Sequence, residues 1–384
     1  MRFLHTSDWH LGKSLKGRSR IEEHESALSE ILDIAQREKI DSVLITGDIF
    51  DSQAPPPEAE RLAFNFFSRL RELGITGVVI AGNHDHPKRL AAIRDVLKLL
   101  DIHVRPYPAR PSDGGMIEID SKGEKARIAV LPFLTAGKIE DATTLMGPEV
   151  ERYQAYSERI SAMCGVLTES FSSTTINMLL AHMYVDGCET SRSEREIHIA
   201  KPYAVSPQRF PSTAHYIALG HLHRPQEISA PSRTLYAGSI LQLDFGEREQ
   251  KKRVVIIDAH PGKPATIESY PLTSGRQLTE VNCTLPEFQA RAETFGNDWL
   301  RVTLKVDKPV PGIADTVREI VPNTLEVRLE YPRAESAPFE AAGSNPIELF
   351  SQFYQQRWAA EPPQEITKLF GTLYEEALLT DATD

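Results

Sequence analysis

The sequence predicts an α/β core, then a small α+β domain, then a pair of C-terminal helices. Three observations carry this reading. Apolar runs at 2–8, 42–47, 77–82, 126–131, 176–182 and 214–220 read as strands, and the early ones alternate with helical patterns at about 20–38, 57–73 and 87–100. Further on, Leu300, Val302, Leu304 and Val306 alternate with Arg301, Thr303 and Lys305, and Leu325, Val327 and Leu329 alternate with Glu326, Arg328 and Glu330, which is the pattern of strands with one wet face. Last, Ile347, Phe350, Tyr354 and Trp358 form one helical stripe, and Ile366, Leu369, Phe370, Leu373, Tyr374 and Leu378 form a second.

Each segment has its own justification. Val78-Val79-Ile80 and Met178-Leu179-Leu180 are unbroken apolar runs, as expected of strands covered on both faces. Apolar strands at 234–237 and 253–258 complete the core, so residues 1–272 read as one domain. Residues 273–332 hold the half-exposed strands, with helical stretches near 285–294 and 312–320 between them. Residues 333–344 read as a linker, and residues 345–384 begin with an N-cap, Asn345, followed by a proline at the first helical position.

Composition excludes several classes. With 41% apolar and 25% charged residues, the 384-residue chain has the makings of a sizeable core. Cys164, Cys188 and Cys283 lie far apart, with neither a disulfide framework nor zinc spacing, which suits a reducing compartment. The start, Met1-Arg2-Phe3-Leu4-His5, has no apolar leader and no stretch approaches a membrane span, so a soluble, cytoplasmic protein is expected. A net charge of −11 argues against indiscriminate binding to polyanions. It leaves room for a local basic surface, and Lys13, Lys16, Arg18 and Arg20 form one candidate for nucleic-acid contact.

Five short patches carry the chemistry: Asp8-Trp9-His10, Gly47-Asp48, Gly82-Asn83-His84-Asp85, His182, and Gly220-His221-Leu222-His223. Nearly every one follows an apolar strand, and in an open α/β sheet ligands collect beyond the carboxyl ends of the strands. Residues two apart in extended chain point the same way, so Asp8 with His10, and His221 with His223, are expected to present paired groups. Taken singly, each patch is an ordinary turn or a core histidine; their conjunction, in this order, points to metal ligation. Mixed Asp, Asn and His donors favour manganese, iron or zinc over a thiolate-selected metal, and Mn²⁺ is the expected ion among them once the family resemblance below is added. Two ions about 3.5–4 Å apart can clamp both oxygens of a phosphodiester displacement. Asp48 is the best candidate for a shared carboxylate. His84 is expected just outside the metals to serve the leaving oxygen, with Asp85 orienting its imidazole. Gly12-Lys13-Ser14 mimics the end of a phosphate-binding loop, but the glycine required five positions earlier is Ser7, so nucleotide binding is rejected.

The order of these patches resembles that of the calcineurin-like metallophosphoesterases. More closely, His5-Thr-Ser-Asp-Trp-His-Leu-Gly12, Gly47-Asp-Ile-Phe-Asp51 and Ile217-Ala-Leu-Gly-His-Leu-His-Arg224 are similar to the SbcD family, the nuclease subunits of bacterial SbcCD complexes. The resemblance implies a sandwich with helices on both faces, followed by a small capping domain and C-terminal helices. It implies that Asp8, His10, Asp48 and His223 hold one metal, that Asp48, Asn83, His182 and His221 hold the other, and that His84 is catalytic. At position 51 this chain has aspartate where archaeal relatives carry histidine, so no role of that histidine is carried over. The implied activity is Mn²⁺-dependent exonuclease and endonuclease action on duplex ends and hairpins of DNA in repair. The two C-terminal stripes could pack on each other; alternatively, as the resemblance implies, residues 345–378 would dock on a coiled-coil ATPase of the SbcC type. In the helix at 57–73, Leu62, Ala63, Phe66, Phe67 and Leu70 make an inner stripe and Phe64 sits off it; the resemblance implies that this helix and the next, 87–100, pair across a homodimer. A phosphoesterase for a small phosphodiester or a phosphoprotein is the alternative, and a non-catalytic scaffold is disfavoured by the complete set of ligands.

Overall fold

A computed structural model describes residues 1–151, 155–191, 193–194, 203–308, 310–331, 345–358 and 360–380. The first half runs β1 (Arg2–Thr6), α1 (Ile21–Arg37), β2 (Ser42–Ile45), α2 (Pro57–Glu72), β3 (Thr76–Ile80), α3 (Pro87–Leu99) and β4 (Ile102–Arg105). It continues through β5 (Met116–Ser121), β6 (Glu124–Leu131), α4 (Ile139–Met146), α5 (Pro148–Glu151), α6 (Tyr156–Thr168), β7 (Ile176–His182), β8 (Tyr216–Gly220), β9 (Gln226–Ile228) and β10 (Thr234–Tyr236). Then come β11 (Arg253–Asp258) and β12 (Thr266–Pro271).

Two six-stranded sheets result, in the orders β12-β11-β1-β2-β3-β4 and β5-β6-β7-β8-β10-β9. β1 to β4 are parallel neighbours, as are β6, β7, β8 and β10. The unbroken apolar strands are explained by where their alternate side chains go. Phe3, Leu44, Val78 and Ile80 meet Ile128, Val130, Met178, Leu180 and Ala218 between the sheets. Leu4, Val43, Ile45 and Val79 pack outward against Ile31, Leu62, Phe66 and Leu90 of α1 to α3. Leu131, Leu179, Ala181 and Leu219 pack outward against α4 and α6 through Met146, Ile160, Met163 and Leu167. The α/β expectation therefore holds, as a helix–sheet–sheet–helix sandwich.

Helices α1, α2 and α3 fall within a residue of their expected bounds: α1 and α2 carry a strong apolar stripe, and α2 and α3 open on a proline at the first helical position. The strands after which the ligands fall are shorter than expected: β1 stops at Thr6, β2 at Ile45 and β3 at Ile80. β4, β5, β9, β12 and the helices α4 to α6 go beyond the sequence-based expectation. Most of those strands show alternation over few residues, or none.

A third sheet has the order β13-β14-β15, from β13 (Leu278–Cys283), β14 (Trp299–Lys305) and β15 (Thr324–Glu330), with α7 (Leu285–Arg291) and α8 (Ile313–Ile320) between its strands. At the border of this segment lies a buried polar cluster. Arg20 and Glu23 form an ion pair at 2.7 Å with side chains 1% and 8% exposed. Glu23 also accepts from the Trp299 indole at 2.8 Å and from the Arg276 backbone N–H at 3.0 Å.

Two further helices, α9 (Pro346–Trp358) and α10 (Gln364–Thr380), pack on each other through Phe350 and Phe370, whose rings stack at 4.3 Å. Ile347, Phe353, Trp358, Leu369 and Leu373 remain exposed. The expected linker at 333–344 lies outside the described residues. Among the described residues no helix is long and apolar enough to cross a membrane.

Glu23→Ala leaves Arg20 buried without its counter-charge, so we expect a loss of about 3–5 kcal/mol in denaturant unfolding followed by Trp fluorescence. Replacing both, Arg20→Met with Glu23→Leu, is expected to restore most of it.

Candidate metal centre

The first patch is shaped by what lies between its polar residues. Trp9 is fully buried, donates its indole N–H to Thr6 Oγ1 at 2.9 Å, and meets Phe66 of α2 edge-on at 4.9 Å. Asp8 and His10 have φ of 51° and 47°. The extended geometry expected of Asp8-Trp9-His10 is thus corrected: two left-handed residues around a keyed tryptophan turn both polar side chains into the site. His221, at φ 109°, departs from extended geometry in the same way.

The loop after β1 runs beside the loop after β2. Asp8 N–H donates to Gly47 O at 3.1 Å, His10 N–H to Asp48 O at 3.0 Å and Leu11 N–H to Ile49 O at 2.9 Å. Asp48 is also left-handed, at φ 51°. Crowding explains the glycines before the ligands. A Cβ on Gly82 would lie 2.1 Å from Asp48 Oδ1, and one on Gly220 would lie 2.0 Å from Thr46 O, so only glycine lets the loops after β2, β3 and β8 close together.

All of the expected ligands, Asp8, His10, Asp48, Asn83, His182, His221 and His223, are buried, and they converge from the strand ends of both sheets. Ligand atoms of Asp8, His10 and His223 lie within 4.8 Å of one another, as do those of Asp8, Asp48 and His182, and those of His10, Asp48 and His84. His10 Nε2 faces His223 Nε2 at 3.1 Å. Asp48 Oδ2 lies 3.6 Å from both His10 Nε2 and His182 Nε2, placing it between the two halves. Asn83 Oδ1 lies 2.9 Å from His182 Nε2 and 2.8 Å from His221 Nδ1.

Tautomers follow from the opposite ring nitrogens. His182 Nδ1 donates to Thr46 O at 2.7 Å, and His10 Nδ1 to Asp51 Oδ1 at 3.2 Å. His223 Nδ1 has Ser193 Oγ at 2.6 Å and Glu247 Oε1 at 3.3 Å. Lone pairs and carboxylate oxygens are therefore aimed at shared points, an arrangement that asks for a cation between them. This fits divalent metals.

Protonation tells the same story. Burial pushes His10 down to about 3 and lowers His182. Burial and then the Asp48 charge raise Asp8 well above the carboxylate range. Burial works against ionised Asp48, but His182, His84 and His10 outweigh it and hold its carboxyl low. For His223, burial is outweighed by Glu247, which raises the imidazole. A proton on His223 can bridge to His10 when no metal is bound.

His84 Nδ1 donates to the Asp51 carbonyl at 2.6 Å, and its backbone N–H donates to Asp48 Oδ1 at 2.8 Å. The acceptor that orients this imidazole is thus the Asp51 carbonyl, which corrects the expectation for Asp85. The Asp85 carboxylate instead accepts from the N–H groups of Phe50 at 3.2 Å and Gly82 at 2.9 Å, tying two ligand loops together, and burial raises it to about 7. The basic run is also corrected in part. Arg20 is buried against Glu23 and the Gln242 carbonyl, so it offers nothing to a nucleic acid. Lys13 pairs with Asp51 at 3.0 Å and Lys16 with Glu326 at 3.7 Å, both at the surface, and Arg18 is exposed. Sequence reasoning missed Phe133, stacked on His221 with ring centroids at 5.8 Å, and the pair Glu247 and Lys252 behind His223.

The sequence profile of the calcineurin-like phosphoesterases matches residues 1–225. A second profile, described as the type 5 capsule protein repressor C-terminal domain, matches residues 274–357. Fold, donor set and profile together make this chain a calcineurin-like phosphoesterase. The SbcD subunit of nuclease SbcCD from Bacillus subtilis (strain 168) is 34% identical over 386 residues, covering 96% of this chain and 97% of that protein. The SbcD subunit from Rhodobacter capsulatus is 30% identical, covering 96% and 92%, and that from Escherichia coli (strain K12) is 29% identical, covering 80% and 79%. The chain belongs to the SbcD family of nuclease SbcCD subunits. The crystal structure of a dimetal phosphatase from Danio rerio superposes with a TM-score of 0.42 at 12% identity, covering 70% of this chain and 99% of that one.

The shifts predict a pH profile for the metal-free chain. Asp8, Asp85 (about 7) and His223 hold protons more tightly folded than unfolded, so the stability they contribute is present at lower pH and lost as pH rises through their folded values. His5 (about 3), His10 (about 3), His24 (about 4) and His182 do the reverse and cost stability as pH falls below 6.5. Thermal unfolding in EDTA should therefore peak near pH 6.5 and decline as pH rises through about 7, by up to about 1.4 kcal/mol per pH unit for each proton lost. Added Mn²⁺ should flatten the alkaline limb. An EDTA midpoint still climbing at pH 8 would contradict these assignments.

Proposed function

We propose that this chain is a Mn²⁺-dependent DNA nuclease that hydrolyses phosphodiester bonds at duplex ends and hairpins in DNA repair. The observation that carries the reading is the pair of opposed donor groups sharing Asp48. Asp8, His10, Asp48 and His223 would hold one divalent metal, and Asp48, Asn83, His182 and His221 the other. Bound there, the two ions would supply Lewis-acid polarisation of the scissile phosphate and an acidified water.

The protein's own groups do the rest. His84, with Nδ1 committed to the Asp51 carbonyl, presents Nε2 to exchange a proton with the leaving oxygen. Asp85 acts at one remove, by holding the Phe50 and Gly82 amides and with them the loops that carry Asp48 and Asn83. Phe133 walls the second donor group with an apolar face and limits water there. With Lys13 held by Asp51, exposed Arg18 and surface Lys16 are the basic groups offered to the DNA backbone.

The same reading covers assembly. Residues 1–272 form the nuclease domain and 273–332 the capping domain. The exposed apolar faces of α9 and α10, within 345–378, fit docking on a coiled-coil ATPase of the SbcC type in a helix-in-groove contact. Val96 and Leu99 of α3 are 63% and 77% exposed, and with Phe64 of α2 they support a homodimer through these helices. The setting is the cytoplasm.

The test is cleavage of linear duplex DNA, hairpin DNA and a chromogenic phosphodiester by the purified chain, with and without Mn²⁺ and with the ATPase partner added. DNA cleavage that needs Mn²⁺ is expected, and His84→Ala should lower its rate about 10²–10⁴-fold while Mn²⁺ still binds. Turnover of the small ester with no cleavage of any DNA would sink the nuclease reading in favour of a small-molecule phosphoesterase.

A further inference from the structure

Two lines of side chains lead to the facing His10 and His223 imidazoles, and they are built alike. On one side, Lys13 Nζ lies 3.0 Å from Asp51 Oδ1, which accepts from His10 Nδ1 at 3.2 Å. On the other, Lys252 Nζ lies 2.6 Å from Glu247 Oε2, and Glu247 Oε1 lies 3.3 Å from His223 Nδ1, with the Ser193 hydroxyl hydrogen-bonded to both. Each runs lysine, carboxylate, imidazole, and the two end at Nε2 atoms 3.1 Å apart. They differ in setting. Glu247 and Lys252 have side chains 0% and 5% exposed, whereas Asp51 and Lys13 are 29% and 24% exposed at the rim.

We propose that Asp51 and Glu247 are positioning residues for the first metal: Asp51 accepts directly from the His10 Nδ1–H, and Glu247 secures the His223 Nδ1–H chiefly through the Ser193 hydroxyl that donates to it, so that each fixes the tautomer and ring angle in which Nε2 is the donor. The proposal rests on the ligand assignment made above. Lys13 and Lys252 anchor the two carboxylates and balance their charge, so that neither swings in to become a ligand itself. The buried arm is held further by the rest of its surroundings. Lys252 Nζ also donates to His223 O at 2.9 Å and Ser239 Oγ at 2.8 Å, and Glu194 Oε1 accepts from the His223 N–H at 3.0 Å. The whole imidazole-bearing peptide is therefore clamped from behind. The chemistry is that of a carboxylate–histidine–metal triad, in which the outer partner sets ligand direction and basicity.

Binding of Mn²⁺ to the metal-stripped full chain, measured by isothermal titration calorimetry, tests this directly. Asp51→Ala is expected to weaken one of two Mn²⁺ sites about 10- to 100-fold and leave the other unchanged. Asp51→Asn, which keeps an acceptor, should recover part of the loss, with a metal-free unfolding midpoint close to the wild type. Glu247→Met combined with Lys252→Met removes both buried charges together and should weaken the same site. If that variant does not fold, Asp51→Ala decides alone. Wild-type affinity at both sites in Asp51→Ala would overturn the proposal. Wild-type protein that binds no Mn²⁺ would overturn the ligand assignment beneath it.

Discussion

Everything in this molecule depends on holding electron-rich groups against one another. With no cation among them, a proton on His223 bridges two imidazole nitrogens 3.1 Å apart, but the buried Asp8 and Asp48 carboxyls, and Asn83 Oδ1 at 2.9 Å from the lone pair of His182 Nε2, still repel. A flexible site would relieve that repulsion by opening. This one is not free to open, because its loops are anchored by buried groups facing the other way: Trp9 against Phe66, Ile49 and Phe50 in the same core, and Asp85 strapped across two loops. The sandwich supplies rigidity, and the rigidity keeps the donors aimed at common points. That is electrostatic preorganisation built before any metal arrives.

Much of this was legible in the sequence, for a physical reason. A parallel strand buried on both faces must be an unbroken apolar run, and a loop that must approach other backbone closely must begin with glycine. Runs followed by Gly-Asp, Gly-Asn or Gly-His therefore announce both the strand and the ligand. What the sequence hid was conformational. Asp8 and His10 look like an extended pair, and their convergence instead comes from left-handed backbone on either side of Trp9, which no spacing rule reveals. Arg20 looks like one more surface cation. Its partner Glu23 is close in sequence, but the groups that bury the pair, Gln242, Arg276 and Trp299, are more than two hundred residues away. The strands β4 and β9 and the helix α5 are too short to show a period at all.

The acidic chain also keeps its cations for specific duties. Lys252 is committed to Glu247, Arg20 to Glu23, and Lys13 to Asp51. A chain with a net charge of −11 has little non-specific attraction for a polyanion, so the cations left near the metals must select geometry more than they add affinity. Position 51 serves the site twice: one residue offers its carboxylate to His10 and its carbonyl to His84, so a proposed metal ligand and the proposed proton donor are steadied from a single point.

The donor set is divided between the two sheets: Asp8, His10, Asp48 and Asn83 follow strands of one, and His182, His221 and His223 belong to the other. The apolar seam between the sheets, from Phe3 and Val78 to Met178 and Leu180, is thus the floor on which coordination stands. Metal occupancy is in effect a strain gauge for that seam. A small slip between the layers would hardly register in the unfolding free energy, yet it would pull the donors of one sheet away from those of the other. The geometry of the donors is thus tied to side chains of the seam that lie among none of them.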